Sequence, residues 1–391
     1  MKTRRPLRFV ASVAAVVIAS VICLRAADTG EFLITDHGAK GNNSFDNAPV
    51  INALLAKFGS SGGTIVIPAG DFRINSPIVV SKNSVTIRGV NYGQRSNVDP
   101  APSGVFAPAG GSKLILGTGV LSGIAVNDGG AKLLELTIRD LAIAGSDGGV
   151  YQTGISINRS NRWTRVENVN CVNLKKGIFI KQAEETKIES CWLAECESPL
   201  QMDTGTNCIV SDNSFGGQPS GVTCDFHSHH GLIFSGNVIF PDGYAGLWLT
   251  DAHACTVTDN TITGWYTGLV QVEGNMNLLV NNNITAVLNG SSWPTDPRGR
   301  DGLYGLVRIS GNDNVCASSV LTSWQPENHC RVHCASGDRN TFRNLTIGGL
   351  GSNRKLFVNG TLTTRTRITH CGWASEIDLS GSATARVEYA P

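Results

Sequence analysis

Short apolar segments recur through the middle of the chain at a nearly constant spacing. One series consists of the segments GISI, GIFI, PLQM, GVTC, GLWL and GLVQV, which begin at residues 154, 177, 199, 221, 246 and 268. Their starts are 23, 22, 22, 25 and 22 residues apart, and no helical period separates them. Short β-rich segments with a fixed period indicate a solenoid in which each repeat forms one coil.

A second series of segments runs out of phase with the first. It consists of RVENV, KIESC, IVSDN, IFSGN, TVTDN and LVNNN, and the last four end on Asn213, Asn237, Asn260 and Asn283. Asn tolerates the left-handed backbone region and can bond the coils above and below it, so we expect a stacked amide ladder at this turn. A leucine-rich repeat would need a Leu signature and a propeller about twice this period. The two series together favour a parallel β-helix.

The N-terminal part of the chain predicts a short amphipathic helix over residues 47–58. Asp46 is the expected N-cap, and the apolar face consists of Val50, Ile51, Leu54, Leu55 and Phe58. Such a helix can cover the open apolar end of a solenoid. This passage resembles the start of the pectate-lyase-like superfamily. The resemblance implies an all-β fold, a right-handed parallel β-helix solenoid with a short N-terminal capping helix.

The first 27 residues have the pattern of a secretory signal peptide. Lys2, Arg4, Arg5 and Arg8 precede an uncharged apolar run from Phe9 to Leu24, which is short for a stable membrane span. An uncleaved anchor is the alternative. Without residues 1–27 the chain has 27 basic and 31 acidic residues, a net charge of −4 that does not favour nucleic acid. We therefore expect a secreted or periplasmic protein that has no membrane contact after signal cleavage.

The rest of the chain, residues 28–391, is predicted to form a single β-helix domain with one long insertion. Gly268 and Gly305 begin equivalent segments but are 37 residues apart, about 15 more than one coil. The excess falls at 289–304, where Trp293 is a further candidate contact residue. Long insertions in a regular solenoid lie on its surface and often carry function.

Four motifs between about Lys132 and Asn314 resemble glycoside hydrolase family 91, the inulin fructotransferases and difructose anhydride hydrolases. They are LAEC at 193–196, SGN at 235–237 followed by Phe240-Pro241, TGWYTGL at 263–269, and RDGLYGLVRISGNDN at 300–314. The resemblance implies a homotrimer with clefts for fructan, or a similar oligo- or polysaccharide, between subunits. It also implies acid–base catalysis by an Asp and a Glu, without a metal or other cofactor.

In this register the two catalytic positions of the family fall on Ser190 and Gln201, which cannot transfer protons near neutral pH but can hydrogen-bond sugar hydroxyls. If the chemistry has moved, the candidate catalytic acids are Asp203, Glu195 and Asp225. Asp203 is expected on the same strand face as Gln201, about 7 Å along. The candidate substrate-binding residues are Ser190, Gln201, Trp265, Tyr266, Asp301 and Tyr304.

Other readings of the sequence stay open. Strand alternation in CDFHSHHG would place Asp225, His227 and His229 on one face as a metal cluster, although a polar strand is the simpler explanation and we expect no metal. Cys330 and Cys334 could form a disulfide, or most cysteines could be buried apolar residues. We expect a glycoside hydrolase or fructotransferase-like enzyme. The alternatives are a non-catalytic glycan-binding β-helix and a polysaccharide lyase or polygalacturonase-like hydrolase.

Overall fold

The computed structural model describes most of the chain after the first 29 residues. The described residues are 30–93, 110–126, 132–146, 151–159, 161–217, 221–240, 245–264, 269–286, 306–323, 332–349, 356–358, 363–371 and 377–378. They contain one 3₁₀ turn (Ile34–His37), one helix, α1 (Ala48–Lys57), and 37 strands. The predicted signal peptide and the long insertion at 289–304 lie outside them. Within these ranges, no helix is long and apolar enough to cross a membrane.

The strands are short and follow one another closely. In the first part of the chain they are β1 (Glu31–Leu33), β2 (Gly63–Val66), β3 (Gly70–Ile74), β4 (Ile78–Val80), β5 (Val85–Arg88), β6 (Ser112–Leu116), β7 (Ser122–Val126), β8 (Thr137–Ala144), β9 (Thr153–Ile157), β10 (Asn161–Arg162), β11 (Arg165–Ile180), β12 (Ala183–Glu184), β13 (Lys187–Glu189) and β14 (Trp192–Met202). In the middle they are β15 (Gly205–Thr206), β16 (Ile209–Ser211), β17 (Ser214–Gly217), β18 (Val222–His227), β19 (His229–His230), β20 (Ile233–Ser235), β21 (Val238–Phe240), β22 (Ala245–His253), β23 (Thr256–Thr258), β24 (Thr261–Gly264), β25 (Val270–Asn275), β26 (Leu278–Val280) and β27 (Asn283–Ala286). The last are β28 (Val307–Ser310), β29 (Val315–Ala317), β30 (Val320–Ser323), β31 (Val332–Asp338), β32 (Thr341–Arg343), β33 (Thr346–Gly349), β34 (Leu356–Val358), β35 (Thr363–Thr364), β36 (Arg367–Thr369) and β37 (Ile377–Asp378).

All the strand pairs are parallel, and each strand pairs with its counterpart one coil away. The first sheet includes β13, β16, β20, β23, β26 and β29. The second includes the start of β14 and then β17, β21, β24, β27 and β30. The third includes the end of β14 and then β18, β22, β25, β28 and β31. The predicted parallel β-helix is therefore confirmed.

The core is a stack of apolar side chains from successive coils. In the third sheet one such column consists of Ile155, Ile178, Leu200, Cys224, Leu247, Val270 and Val307, all fully buried. Nine cysteines lie in the described residues, and each is buried and free. Cys334 is one of them, while Cys330 lies outside the described residues. Most cysteines here thus serve as small apolar core residues.

The predicted amide ladder exists, but one of its members is Asn282 rather than Asn283. The side-chain amides of Asn213, Asn237 and Asn260 each donate to the Oδ1 of the next Asn, at 2.9–3.0 Å, and the series ends on Asn282. Asn283 is exposed. The backbone is left-handed at the residue before each ladder Asn and not at the ladder Asn itself. The φ angle is 58° at both Asp212 and Asp259 and 56° at Asn281. This left-handed residue turns the chain from the first sheet to the second, a position called the first corner below.

A second amide ladder was not predicted. Asn277 donates to Asn314 at 3.0 Å, and Asn314 donates to Asn340 at 3.1 Å. Each ladder Asn ends a four-residue repeat, GNMN, GNDN or GDRN, whose glycines stand at positive φ. A Cβ on Gly311 would lie 1.9 Å from the carbonyl oxygen of Gly274, so only glycine fits this stack.

Helix α1 begins one residue later than predicted and ends one residue earlier. Asn47 is the N-cap, and its side chain makes no capping bond to the helix. The predicted N-cap, Asp46, instead accepts from the backbone N–H of Ala48 at 3.2 Å and from that of Asn75 at 3.0 Å. Asn52 bonds the backbone of Pro77 and Val79, so the helix is tied to the first strand of the third sheet. Its apolar face is otherwise as predicted, with Val50 only partly buried.

The long insertion leaves the solenoid register intact. Val270 pairs with Val307 in the third sheet, and Asn283 pairs with Val320 in the second. The extra residues therefore join β27 of the second sheet to β28 of the third. This transition between sheets is called the second corner below.

Candidate functional site

One face of the third sheet carries a row of polar and aromatic residues that alternates with the core column. The row follows the strand register through Phe179, Gln201, Asp225, Trp248, Gln271, Arg308 and His333. Because side chains alternate across a strand, these residues lie on the outer side of the sheet. The candidate site occupies the part of this row around Gln201 and Asp225.

Gln201 and Asp203 lie side by side on this outer face, as predicted. The amide Nε2 of Gln201 donates to Oδ1 of Asp203 at 2.8 Å. Strand β14 ends at Met202, but the Asp203 N–H still donates to the Ile180 carbonyl at 2.9 Å, so the ladder continues through it. The Asp203 carboxylate therefore has a defined position on the half-buried outer surface.

Asp225 lies directly beside Gln201 on the next coil and carries a histidine partner. His227 Nε2 lies 3.0 Å from Asp225 Oδ2, and the side chains of His227 and Asp225 are 33% and 15% exposed. Met202 and Phe226 are paired in register, so Asp203 and His227, each one residue further on, are neighbours across the coils. Gln201, Asp203, Asp225 and His227 are named the outer-face cluster below.

Lys176, one coil before Gln201, adds a positive charge to this cluster. Its Nζ lies 4.1 Å from the centre of the Phe179 ring. Burial lowers the pKa of Lys176, while the negative charges of Asp203 and Asp225 act in the opposite direction. The cluster and Lys176 thus bring two carboxylates, an imidazole, an amide and an ammonium group together on one outer surface.

His229 does not join Asp225 and His227, so the predicted alternation through this segment is wrong. Ser228 has a φ of 49°, which turns the chain and sends His229 into the core, where it is 1% exposed. Its Nε2 lies 3.2 Å from the carbonyl oxygen of Met202, and burial lowers its pKa to about 4. The described residues contain no group of three or more His, Cys, Asp or Glu side chains that could hold a metal ion.

The two positions predicted to match the family's catalytic acids lie on different sides of the coil. Ser190 is exposed at the first corner, with a φ of 55°, whereas Gln201 lies on the outer face of the third sheet. Glu195 occupies the second corner within β14, with a φ of 52°. Among the candidate residues, the structure therefore brings together Gln201, Asp203 and Asp225 but not Ser190 or Glu195.

The other four predicted binding residues lie outside the described residues. Trp265 and Tyr266 fall between β24 and β25, and Asp301 and Tyr304 fall between β27 and β28. Trp293 belongs to the same second segment. Both segments join the second sheet to the third at the second corner. Their ends thus flank one edge of the sheet that carries the outer-face cluster.

Residues further along the same row were missed by the sequence analysis. Trp248 is 2%, Gln271 3% and His333 3% exposed, although all three lie on the outer side of the sheet. Arg308 pairs with Glu273 through an Nη1–Oε1 contact of 3.3 Å. The available signal was the first apolar series, because in GLWL, GLVQV and the equivalent segment LVRIS at 306–310 the residues between the core positions form this row.

The most specific family motif, RDGLYGLVRISGNDN, divides into parts with different roles. Ile309 is buried in the core, while Arg308 belongs to the outer row. Asn314 lies in the second amide ladder, and Gly311 belongs to the glycine stack beside it. The GNDN part of the motif thus has a structural role in the stacking of the coils.

The fold and this outer face define the chain as a parallel β-helix protein with a polar cluster on its third sheet. A family model described as periplasmic copper-binding protein (NosD) matches residues 118–295. An inulin fructotransferase [DFA-I-forming] of Arthrobacter globiformis is 24% identical over 325 residues, covering 76% of this chain and 81% of that protein.

Two solved structures have a similar fold. The crystal structure of DFA-IIIase from Arthrobacter chlorophenolicus A6 without its lid, in complex with GF2, has a TM-score of 0.79 at 21% identity, covering 93% of this chain and 100% of that one. The mannuronan C-5 epimerase AlgE4 A-module of Azotobacter vinelandii has a TM-score of 0.62 at 16% identity, covering 92% and 97%. These comparisons confirm the resemblance to inulin fructotransferases and DFA-IIIase that the motifs indicated.

Proposed function

We propose that this protein is a carbohydrate-active enzyme that cleaves fructan or a related oligosaccharide, by hydrolysis or by transfer of the glycosyl group within the substrate. The observation that carries the proposal is the outer-face cluster, in which Asp203 and Asp225 lie on adjacent coils beside Gln201. The similarity to an inulin fructotransferase, and to DFA-IIIase bound to GF2 and DFA-III, supports fructan as the substrate class.

Two carboxylates on adjacent coils provide the two groups that acid–base chemistry on a glycosidic bond requires. Adjacent coils are about 4.8 Å apart and two residues along a strand about 7 Å, so the Cα atoms of Asp203 and Asp225 are roughly 8 Å apart. Cleavage needs one group to protonate the departing oxygen and another to activate the attacking hydroxyl, and in glycosidases these are two neighbouring carboxyl groups. Gln201 contributes a hydrogen-bonding group for sugar hydroxyls beside them.

A cleft between subunits is the second part of the proposal. Ser190 and Gln201, which replace the family's acids, lie on different sides of one coil. If both positions still line a single cleft, that cleft must form between two copies of the chain. A homotrimer, exported to the periplasm or beyond, would supply such clefts, and the signal-peptide pattern supports the export.

The test is an assay of the full-length purified chain on inulin, levan and difructose anhydrides, with analysis of the products. We expect turnover, and we expect Asp203→Asn to lower kcat by about 10²–10⁴-fold because a positioned proton-transfer group is lost. Asp259→Asn is the matched control, since Asp259 is an exposed first-corner residue and Asn also accepts its positive φ.

Two other outcomes would contradict parts of the proposal. Turnover that is unchanged by substitution of Glu195, Asp203 or Asp225 would show that the catalytic site lies elsewhere. Fructan binding without turnover would make the protein a glycan-binding β-helix, and Ser190→Asp combined with Gln201→Glu should then create the missing activity.

A polysaccharide lyase-like reaction is the second candidate function. The observation that favours it is the His227–Asp225 pair with Lys176 nearby, because a base beside a cationic group can remove a proton next to a substrate carboxylate. An assay on polygalacturonate and mannuronan for unsaturated products tests it. Such products, with no products from fructan, would replace the fructan proposal with this one.

A further inference from the structure

Cleavage of a glycosidic bond needs a proton donor as well as a proton acceptor, and the outer-face cluster offers a better donor than a second carboxylate. We propose that His227 is this donor, that Asp225 holds and orients it, and that Asp203 is the acceptor. The proposal rests on the proposed glycan-cleaving function and assigns the roles within its site.

The first support is the position of His227 relative to Asp203. Their preceding residues, Met202 and Phe226, are register partners, so the two side chains leave neighbouring coils about 4.8 Å apart. The Gln201 amide fixes Asp203 on this face through a 2.8 Å hydrogen bond. A sugar lying across these two coils would therefore contact both His227 and Asp203.

The second support is the pairing of Asp225 with His227. Nε2 of His227 donates to Oδ2 of Asp225 at 3.0 Å, and the histidine side chain is 33% exposed whereas the aspartate is 15% exposed. The imidazole is thus the outer partner and lies nearer to a substrate. A carboxylate hydrogen-bonded to an imidazole fixes its orientation and stabilises its protonated form, as in the hydrolase triads.

The reaction then balances without any further reagent. The imidazolium of His227 gives its proton to the glycosidic oxygen as the bond from that oxygen to the anomeric carbon breaks, and the leaving group departs as an alcohol. Asp203 takes a proton from the attacking hydroxyl, of water or of the sugar itself, whose oxygen bonds the anomeric carbon. Return of this proton from Asp203 to His227 restores the cluster, and nothing is oxidised or reduced.

The charged groups around His227 set the pH dependence. On its own strand it faces Asp225, and on the preceding coils Asp203 and Lys176. On the following coil its register partner is Thr250, the Asp251–His253 pair lies past the corner at Ser228, and His229 lies in the core beneath. Because the donor must be protonated, the rate should fall as pH rises through the His227 pKa. Removing the Asp225 charge should lower that pKa and move this alkaline limb to lower pH.

The experiment compares His227→Asn, His227→Gln and Asp225→Asn with the parent on the fructan that it cleaves. We expect both His227 variants to lose about 10²-fold or more in kcat with KM changed only a few-fold. His230→Asn is the control, since His230 is an exposed histidine three residues on. Thermal melting of each variant separates lost folding from lost chemistry.

A second measurement separates a donor from a merely structural histidine. NMR titration of the ¹⁵N-labelled histidine rings should give a lower His227 pKa in Asp225→Asn, with an equal shift of the alkaline limb of the kcat profile. The proposal is overturned by full activity in a folded His227→Asn, or by an alkaline limb of the kcat profile that does not shift with the His227 pKa. Either result leaves the proposed function unaffected. A parent inactive on every glycan overturns both.

Discussion

His227 and His229 are separated by one residue, yet one lies on the outer surface and the other in the core. The cause is Ser228, whose left-handed backbone breaks the alternation of the strand. The inward ring fits only because residue 205 is glycine, since a Cβ there would lie 2.2 Å from Cε1 of His229. At this scale a single φ value decides which side chains can take part in chemistry.

The buried state of His229 predicts a pH-dependent stability. Burial lowers its pKa from 6.5 to about 4, so between these values the unfolded chain binds more protons than the folded one. The stabilisation that comes from keeping His229 neutral in the core is fully present above pH 6.5 and is lost as pH falls towards 4. The free energy of unfolding should fall by about 3 kcal/mol in total over this range. Denaturant unfolding at pH 7 and pH 4.5 measures this change.

The comparison for this prediction is His229→Gln, which removes the titrating ring from the core. Its absolute stability is expected to be lower, so the slope with pH is the relevant quantity. The variant should lose less stability than the parent between pH 7 and pH 4.5. Equal slopes in the two proteins would mean that His229 is not the group responsible.

At the scale of the element, the corner is the unit that repeats. At the first corner a left-handed residue precedes a buried residue, and the left-handed position is occupied by Asp, Asn, Ser, Gly or, at position 370, His. The ladder residue satisfies buried backbone groups on two coils, as Asn237 does by donating to the Val210 carbonyl and receiving from Asn213. Ser190 is the left-handed residue at the first corner of its coil, so its backbone role is structural whatever its side chain binds.

Adjacent asparagines in the sequence NNN at 281–283 allow a direct test of the ladder. Asn282→Ala removes donors to Val257 and the acceptor used by Asn260, leaving buried polar groups unpaired. We expect it to cost about 2–4 kcal/mol of unfolding free energy. Asn283→Ala should cost little, because Asn283 is exposed and, within the described residues, its side chain accepts a hydrogen bond only from Thr285. Equal effects in urea denaturation would contradict the assigned register.

At the scale of the whole molecule, the solenoid separates residues that are close in sequence and brings together residues that are one coil apart. Ser190 and Gln201 are 11 positions apart but lie on different sides of the coil, whereas Gln201 and Asp225 are 24 positions apart and adjacent. A site that used both Ser190 and Gln201 would need a second copy of the chain.

We therefore expect the mature protein to be a homotrimer in solution. Light scattering coupled to size-exclusion chromatography at micromolar concentration should give three times the monomer mass. A monomer under these conditions would argue against clefts between subunits. It would leave the outer-face cluster intact, since Gln201, Asp203, Asp225 and His227 all come from one chain.

The sequence by itself determined the solenoid, because a period of about 22 residues with inward apolar positions is compatible with few other folds. It also placed Asp203 beside Gln201 and Asp225 one coil further, since register and alternation are local rules. The existence of the first ladder and of the capping helix was predictable for the same reason, with errors of one residue at Asn283 and Asp46.

Only the tertiary structure decided the features that depend on the backbone conformation at the corners. Whether Ser228 is left-handed, and hence which histidine faces outwards, is set by the coils stacked on it rather than by its own preference, because Ser disfavours positive φ. The pairing of His227 with Asp225 follows from that turn. The separation of Ser190 from Gln201 likewise follows from the direction of each bend, which period and spacing along a chain do not encode.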